Sequence, residues 1–139
     1  MSGRQAAVKP IQQTSLYQEY SAEVEKYKEL KLSTQEKLEK RQRLDTTKNE
    51  NELLIKELTR LEDDAVLYKR SGPILVKLEV EEATTDVQAK IRIIKDQINQ
   101  IDTQIKNIEK TLQKKEKKIG EMQQKLQTQI ALTQQPPPK

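Results

Sequence analysis

The second half of the chain carries an apolar residue at alternating steps of four and three. Eleven of the twelve positions in this series are apolar, and Lys115 is the exception. A heptad repeat sustained over more than five heptads predicts a coiled-coil helix, whose apolar seam needs a partner helix. The positions are Val87, Ile91, Ile94, Ile98, Ile101, Ile105, Ile108, Leu112, Lys115, Ile119, Met122 and Leu126.

The first half of the chain supplies the partner helix, with a weaker pattern. Tyr20, Val24 and Tyr27 follow the same spacing, and apolar residues resume on a shifted phase at Leu54, Leu58 and Leu61. Between them the series is polar except for Leu38, at Lys31, Thr34, Leu38, Arg41, Asp45 and Lys48. The pattern predicts one helix from Ser15 to Leu61 with a register change near residues 38–44.

A short segment of different character separates the two helices. Ala65–Tyr68 and Ile74–Leu78 are predicted strands, and Ser71-Gly72-Pro73 is a turn signal between them. The acidic residues of the segment Glu79–Glu82, which are Glu79, Glu81 and Glu82, suit the first turn of the second helix, where the helix dipole favours negative charge. The order helix, hairpin, helix predicts a mainly α fold, in which the hairpin reverses the chain and the helices form an antiparallel coiled coil.

This reversal predicts which residues of the two helices face each other. Placing Leu61 opposite residues 83–85 makes the numbers of facing residues add up to about 146. Leu58 then lies near Val87 and Tyr20 lies near Leu126. Lys31 is predicted to lie level with Lys115. The structured unit is predicted to span residues 15–132, with disordered segments at 1–14 and 133–139.

The predicted hairpin also indicates how the chain assembles. An isolated two-stranded hairpin is marginally stable in water, and its open edges invite further strands. We therefore expect pairing with hairpins of other chains, most stably in a closed β-barrel. A hairpin that packs on its own coil is the alternative. The hairpin set comprises Val66, Leu67, Tyr68, Gly72, Pro73, Ile74, Leu75, Val76 and Leu78.

Composition excludes several kinds of chemistry. The 139 residues contain no Cys and no His, and the three Gly are too far apart for a phosphate-binding loop. No apolar run is long enough to span a bilayer. The chain is therefore expected to be an intracellular protein that has no catalytic residues, binds no cofactor, metal or membrane, and is not an enzyme.

Charge is uneven along the sequence. The formal net charge is +4, and the basic residues cluster at Lys114-Lys115-Glu116-Lys117-Lys118. A nucleic-acid interface needs aromatic stacking or a docking fold beside the charge, and neither accompanies this cluster. The cluster is interpreted as a solvated face of the coil, and contact with a partner protein is the alternative.

Several motifs resemble those of the β-class prefoldin subunits. The most specific match is the hairpin, where a Gly-Pro is followed by an aliphatic run and a Lys. Arg70 and Ser71 depart from the usual aliphatic residues, and Leu78 replaces a frequent Gln. The resemblance extends over residues 16–127 and is greater to the subunit-six type of eukaryotes than to subunit two. The matching segments are Tyr68–Lys77, Glu82-Ala83, Glu23–Tyr27, Arg41–Leu44 and Asn49–Asn51.

The resemblance implies a molecular chaperone. Prefoldin is a hexamer of two α-class and four β-class subunits, whose hairpins form a double β-barrel from which coiled coils project. The ends of the coils hold unfolded polypeptides, notably actin and tubulin chains. They pass these clients to the cytosolic group II chaperonin, and prefoldin itself uses no nucleotide. The resemblance thus implies a cytoplasmic hetero-oligomer, and the lysine cluster becomes a hypothetical contact for a client or for the chaperonin.

The residues at the free end of the predicted coil agree with client capture. Helix ends fray, and Tyr and Met suit adaptable contacts. Ordinary seam packing is the equal alternative for the four members on the heptad series, whereas Tyr17, Ile130 and Leu132 lie off the series or beyond it. The capture set comprises Leu16, Tyr17, Tyr20, Val24, Met122, Leu126, Ile130 and Leu132.

A structural coiled-coil tether or scaffold is the main alternative function. Such a protein would use a continuous rod and would not need a turn in the middle of the chain. Gly72-Pro73, placed between two strand-like runs, therefore disfavours a tether and favours the hairpin-forming chaperone subunit.

Overall fold

The computed structural model describes residues 14–62 and 64–133. It contains helix α1 (Ser15–Thr59), strands β1 (Leu67–Ser71) and β2 (Ile74–Leu78), and helix α2 (Val80–Thr133). Residues 1–13 and 134–139, predicted to be disordered, lie outside the described residues. The chain divides into two compact units. We call residues 36–105 the hairpin unit, and residues 14–35 with 106–133 the terminal unit.

Helix α1 begins at Ser15, as the sequence predicts. Thr14 caps it, because the backbone N–H of Tyr17 donates to the Thr14 side-chain hydroxyl at 3.2 Å. The helix ends at Thr59, two residues before the predicted end. Its last turn tightens, since the N–H of Arg60 and that of Leu61 donate to carbonyls three residues earlier.

The hairpin forms around a two-residue turn. Gly72 has φ +62°, which L-residues rarely adopt, and glycine at the first central position is typical of a type II′ hairpin turn. The strands pair antiparallel from Ser71–Ile74 next to the turn to Leu67–Leu78 at the far end. The prediction of a first strand at Ala65–Tyr68 was therefore misplaced. The tight turn requires its flanking residues to pair, which moves β1 towards the turn and leaves Val66 outside it.

Helix α2 follows β2 after one residue. The N–H of Ala83 donates to the carbonyl of Glu79 at 2.9 Å, and Glu81 and Glu82 lie in the first turn, as the acidic run predicts. The core of the hairpin unit lies where α1, the hairpin and α2 meet. Its buried residues are Leu58, Ala83 and Val87, against which Ile55, Leu67, Leu78 and Ile91 pack.

The heptad series of α2 is confirmed as its inner face. Every position in the series is buried or half-buried, including Lys115. Ile94 is 9% exposed, whereas its neighbour Ile93, which is outside the series, is 58% exposed. Burial therefore follows the predicted phase of the helix and not apolar identity alone.

The predicted register change in α1 was wrong. Every position of one unbroken four–three series from Tyr20 to Leu58 is buried or half-buried, and Leu38 lies outside it, 49% exposed. Polar residues occupy much of this face because long Lys and Arg stems can lie along apolar surface while their charged ends stay in water. The series is Tyr20, Glu23, Tyr27, Leu30, Thr34, Lys37, Arg41, Leu44, Lys48, Asn51, Ile55 and Leu58.

Contacts between the helices fix their register within each unit. In the hairpin unit the guanidinium of Arg41 binds both carboxylate oxygens of Asp102, at 2.5 and 3.2 Å. In the terminal unit Tyr20 contacts Gln123 and Tyr27 contacts Glu116. The numbers in each of these pairs add up to 143, and not to the predicted 146. The difference arises because Leu58 packs beside Ala83 and Val87, whereas Leu61 lies beyond the end of α1.

Candidate functional site

The hairpin unit presents apolar side chains on both faces of its two-stranded sheet. Leu67 and Leu78, paired at one end, pack on the Leu58 cluster. Towards the turn the apolar residues are uncovered, with Ile74 64% and Leu75 65% exposed. Leu75 is paired with Arg70 and Ile74 with Ser71. Adjacent residues of a strand point to opposite faces, so both faces expose apolar surface.

The other members of the hairpin set divide between these two environments. Val66, Tyr68 and Val76 are exposed, and Gly72 and Pro73 form the exposed turn. Their exposure is unusual, because soluble chains rarely leave a contiguous apolar patch facing water unless it is an interaction surface. Both strands also have an unpaired edge in the described part of the chain.

An open groove of about 250 Å³ lies at the base of the hairpin. Leucine side chains from α1 and from both strands line it, together with the first turns of α2. It continues the apolar surface of the hairpin down to the buried core. The principal lining residues are Leu54, Leu58, Leu67, Tyr68, Leu78 and Val87.

The terminal unit contains the capture set. Leu132 is 63% exposed, whereas Met122 and Leu126 are buried in the seam. The remaining five, Leu16, Tyr17, Tyr20, Val24 and Ile130, are half-buried. The rings of Tyr17 and Tyr20 lie 6.3 Å apart between centroids at an interplanar angle of 46°.

Glu23 is a residue of the terminal unit that sequence reasoning did not single out as a site. It is the only buried charged side chain among the described residues. Its carboxylate accepts hydrogen bonds from Lys115 at 2.9 Å and from Lys118 at 3.3 Å. The hydrogen bond from Lys115 is the main cause that lowers the pKa of Glu23. The sequence does contain a signal for this position, because counting back from Leu58 along α1 in steps of three and four residues reaches Glu23.

The lysines near this level are therefore arranged differently from the prediction. The register that pairs Tyr27 with Glu116 places Lys28, and not Lys31, level with Lys115, and the ammonium of Lys115 binds Glu23. The ammonium of Lys31 instead lies 5.0 Å from the centroid of the Tyr27 ring, a cation–π distance. The cluster at residues 114–118 also divides, since Lys115 and Lys118 bind Glu23 whereas Lys114 and Lys117 are exposed.

Two tyrosines bridge the helices of the terminal unit. The hydroxyl of Tyr27 donates to the carboxylate of Glu116 at 2.5 Å. The hydroxyl of Tyr20 accepts from the side-chain amide of Gln123 at 3.0 Å. Their rings line an open groove between the two helices.

Residues 14–62 and 64–133 contain no group of three or more carboxylate, His or Cys residues placed to hold a metal ion. Within the same ranges, no helix is both long and apolar enough to cross a membrane.

The helix–hairpin–helix arrangement has a close structural counterpart. The crystal structure of the prefoldin beta subunit from Thermococcus strain KS-1 matches with a TM-score of 0.64, covering 86% of this chain and 95% of that one. The two sequences are 23% identical, so this likeness concerns the fold. The fold is therefore that of the prefoldin β subunit, as the sequence motifs indicated.

Sequence comparison gives the family. A family model described as "Prefoldin subunit" matches residues 21–126. Prefoldin subunit 6 of Arabidopsis thaliana is 38% identical over 79 residues, which are 57% of this chain and 61% of the plant protein. Human prefoldin subunit 6 is 29% identical over 105 residues, which are 76% of this chain and 81% of the human protein. The chain belongs to the prefoldin subunit family, and the relatives named here are of the subunit 6 type.

The match to the plant relative spans less than two thirds of that protein's length. The resemblance found from the hairpin and helix motifs is confirmed at the level of family and type.

Proposed function

We propose that this chain is a β-type subunit of a prefoldin co-chaperone and that it assembles through its hairpin. The observation that supports this is the exposure of Ile74 and Leu75 on opposite faces of a sheet with open edges. Strands from other subunits would pair with those edges and bury both faces. The partners proposed are α-class and other β-class prefoldin subunits, joined in a hexamer with a β-barrel platform.

The terminal unit is the proposed client-holding surface. Leu132 offers exposed apolar surface, and Tyr17 and Tyr20 offer half-buried rings. Met122 and Leu126 lie in the seam, so they become available to a client when the coil end opens. Unfolded polypeptides, with actin and tubulin chains as the proposed examples, would bind by burying their own apolar residues here.

The proposed activity is passive. It requires neither a nucleotide nor a catalytic residue, since burial of apolar surface is the driving force. The complex is proposed to act in the cytoplasm and to deliver its clients to the group II chaperonin. The exposed Lys114 and Lys117 are candidate contacts for the client or for the chaperonin, as their charge suits acidic partners.

Native mass spectrometry of the chain alone and mixed with α-class and β-class prefoldin subunits tests the assembly. We expect a defined heterohexamer that contains this chain. A stable homodimer that ignores the other subunits would contradict the proposal and favour a tether. The purified hexamer is then tested for suppressing the aggregation of chemically denatured actin without ATP, with the other subunits alone as the control.

A further inference from the structure

The terminal unit contains an open groove whose volume, about 540 Å³, is within the usual range for binding sites. It runs between residues 20–31 of α1 and residues 116–123 of α2. Tyr20 and Val24 belong to the capture set, but most of the groove does not.

The floor of the groove is apolar because the hydroxyl groups of its two tyrosines already form hydrogen bonds. The hydroxyl of Tyr20 is bonded to Gln123, and the hydroxyl of Tyr27 is bonded to Glu116. The aromatic rings, together with Val24 and Ile119, remain to line the space. A ligand gains there by burying apolar surface and does not need to displace these hydrogen bonds.

Gly120 keeps the groove open. It lies inside the 54-residue helix α2, where glycine is a poor helix former. Its φ is not in the positive range, and a Cβ at this position would meet no atom within 4 Å. Neither the backbone nor the helix packing therefore requires glycine here. Because Gly120 has no side chain, the space above it stays open.

Two ammonium groups stand at the rim. Lys28 and Lys31 both line the groove, and both are exposed. Neither forms an ion pair with another described residue. The carboxylate of Glu116, which accepts the hydrogen bond from Tyr27, also lines the groove, so two ammonium groups stand against one carboxylate. The rim therefore favours a ligand that carries negative charge next to its apolar group.

The terminal segments of this chain are not suitable occupants. Residues 1–13 contain Arg4 and Lys9 and no acidic residue, and residues 134–139 contain Lys139 and no acidic residue. Both segments carry positive charge, as the two lysines at the rim do, so the rim would repel them.

We propose that this groove binds an apolar side chain of an unfolded polypeptide, and that a neighbouring Asp or Glu of that polypeptide contacts Lys28 and Lys31. The inference rests on the proposed client-holding function and adds a sequence preference to it. Clients would be held best where an apolar residue is next to an acidic one.

Binding of two fluorescent peptides to the full-length chain tests this preference. Both have one central Leu, flanked by Glu in one peptide and by Lys in the other. We expect the Glu peptide to bind about threefold to tenfold more tightly, as two exposed ion pairs allow, and the difference to shrink at high salt. Lys28→Glu should remove most of the difference. Lys95→Glu, a reversal at an exposed lysine of the hairpin unit, should leave it unchanged.

A second pair of variants tests the space itself. Gly120→Leu fills the groove and should weaken binding of the Glu peptide about tenfold or more, whereas Gly120→Ala adds one methyl group and should change it much less. Circular dichroism checks that both variants remain helical. Equal binding of the two peptides, or no effect of Lys28→Glu, overturns the proposal even where Gly120→Leu unfolds the coil.

The aggregation assay separates this proposal from the function on which it rests. If the assembled hexamer suppresses actin aggregation and the peptides show no preference, the groove assignment fails while the co-chaperone function stands. If the hexamer does not suppress aggregation, the function itself fails. Displacement of the Glu peptide from the groove by a single-stranded oligonucleotide would also overturn the proposal, since it would assign the groove to nucleic acid.

Discussion

The carboxylate of Glu23 lies 2.9 Å from the ammonium of Lys115, so the polar position in the seam of α2 meets a buried charge on α1. Lys118 contributes a second ion pair to the same carboxylate from the next turn of α2. Replacing Glu23 would leave the half-buried Lys115 without its partner, whereas Lys118, 57% exposed, can remain in water. The polar layer in the terminal coil is therefore compensated within the chain.

The ion pair predicts a pH dependence. Since the folded pKa of Glu23 is below its ordinary value of 4.5, the carboxylate stabilises the fold above that value and loses this contribution as the pH falls through the folded pKa. Glu23→Gln should lower the melting temperature near neutral pH, and the difference from the wild type should shrink below pH 4.5. Thermal unfolding by circular dichroism measures both. Glu25→Gln, at an exposed position, is the control, and a Glu23→Gln effect independent of pH would contradict the assignment.

Two adjacent isoleucines of α2 should respond very differently to truncation. Ile94→Ala removes a buried seam residue and should cost about 2–5 kcal/mol of unfolding free energy. Ile93→Ala removes an exposed side chain and should cost about 0.5 kcal/mol or less. Denaturant unfolding measures both, and equal losses would show that the heptad phase assigned to α2 is incorrect.

Two glycines should respond to alanine with opposite signs. Gly72 has φ +62°, so Gly72→Ala should destabilise the hairpin by about 1–2 kcal/mol. Gly120 is helical with open space around it, so Gly120→Ala should stabilise the coil by about 0.8–1.0 kcal/mol. Thermal melts of the two variants and the wild type provide the comparison. Stabilisation by Gly72→Ala would be incompatible with the turn described here.

A charge on the hairpin should block assembly without unfolding the chain. Leu75→Lys places an ammonium on a face that the proposed barrel buries, and an unpaired buried charge is costly. We expect loss of the heterohexamer in native mass spectrometry with unchanged helical content. Leu32→Lys alters an equally exposed leucine of α1 and should still assemble. Hexamer formation by Leu75→Lys would refute the proposed role of this face.

The exposed end of α2 should contribute to holding clients. Leu132→Ser removes apolar surface from the capture set, and burial of a leucine by a client predicts that about threefold to tenfold more hexamer is needed to suppress aggregation. Leu38→Ser, an exposed leucine outside that set, is the control. The same loss for both variants would indicate a general effect of surface polarity and not a site at the coil end.

The sequence predicted correctly those elements in which residue type alone indicates burial or backbone conformation. The isoleucine series of α2 keeps a single helical phase. Gly72-Pro73 lies between two strand-like runs, where it indicates a hairpin turn. The inner face of α1 was predicted only in part. Arg41 and Lys48 lie on it as the predicted series has them, but Lys37 occupies the position that the prediction gave to its neighbour Leu38. Apolar identity therefore assigned Leu38 to the seam, although this leucine is exposed.

The candidate sites depended on contacts that no local pattern specifies. The hairpin set follows from the strands themselves, and most of it is exposed as an assembly surface requires. Predicting the Glu23 cluster and the groove above Gly120 instead requires knowing the register between the two facing helices. The predicted sum of 146 differed from the observed 143 by three residues, so it placed Lys31 level with Lys115. Glu23 binds Lys115 from a level that neither sum places directly opposite it.

The unequal inner faces of the two helices have a consequence for sequence change over time. In the hairpin unit, α2 presents isoleucine after isoleucine to the seam, whereas α1 presents Lys37, Arg41, Lys48 and Asn51. A lysine stem can be exchanged for an arginine, glutamine or methionine stem with little loss, whereas a buried isoleucine tolerates few replacements. Among descendants of this chain, the central part of α1 should accumulate substitutions faster than the facing part of α2. A mutational scan should therefore show fewer intolerant positions along the central part of α1 than along the facing part of α2.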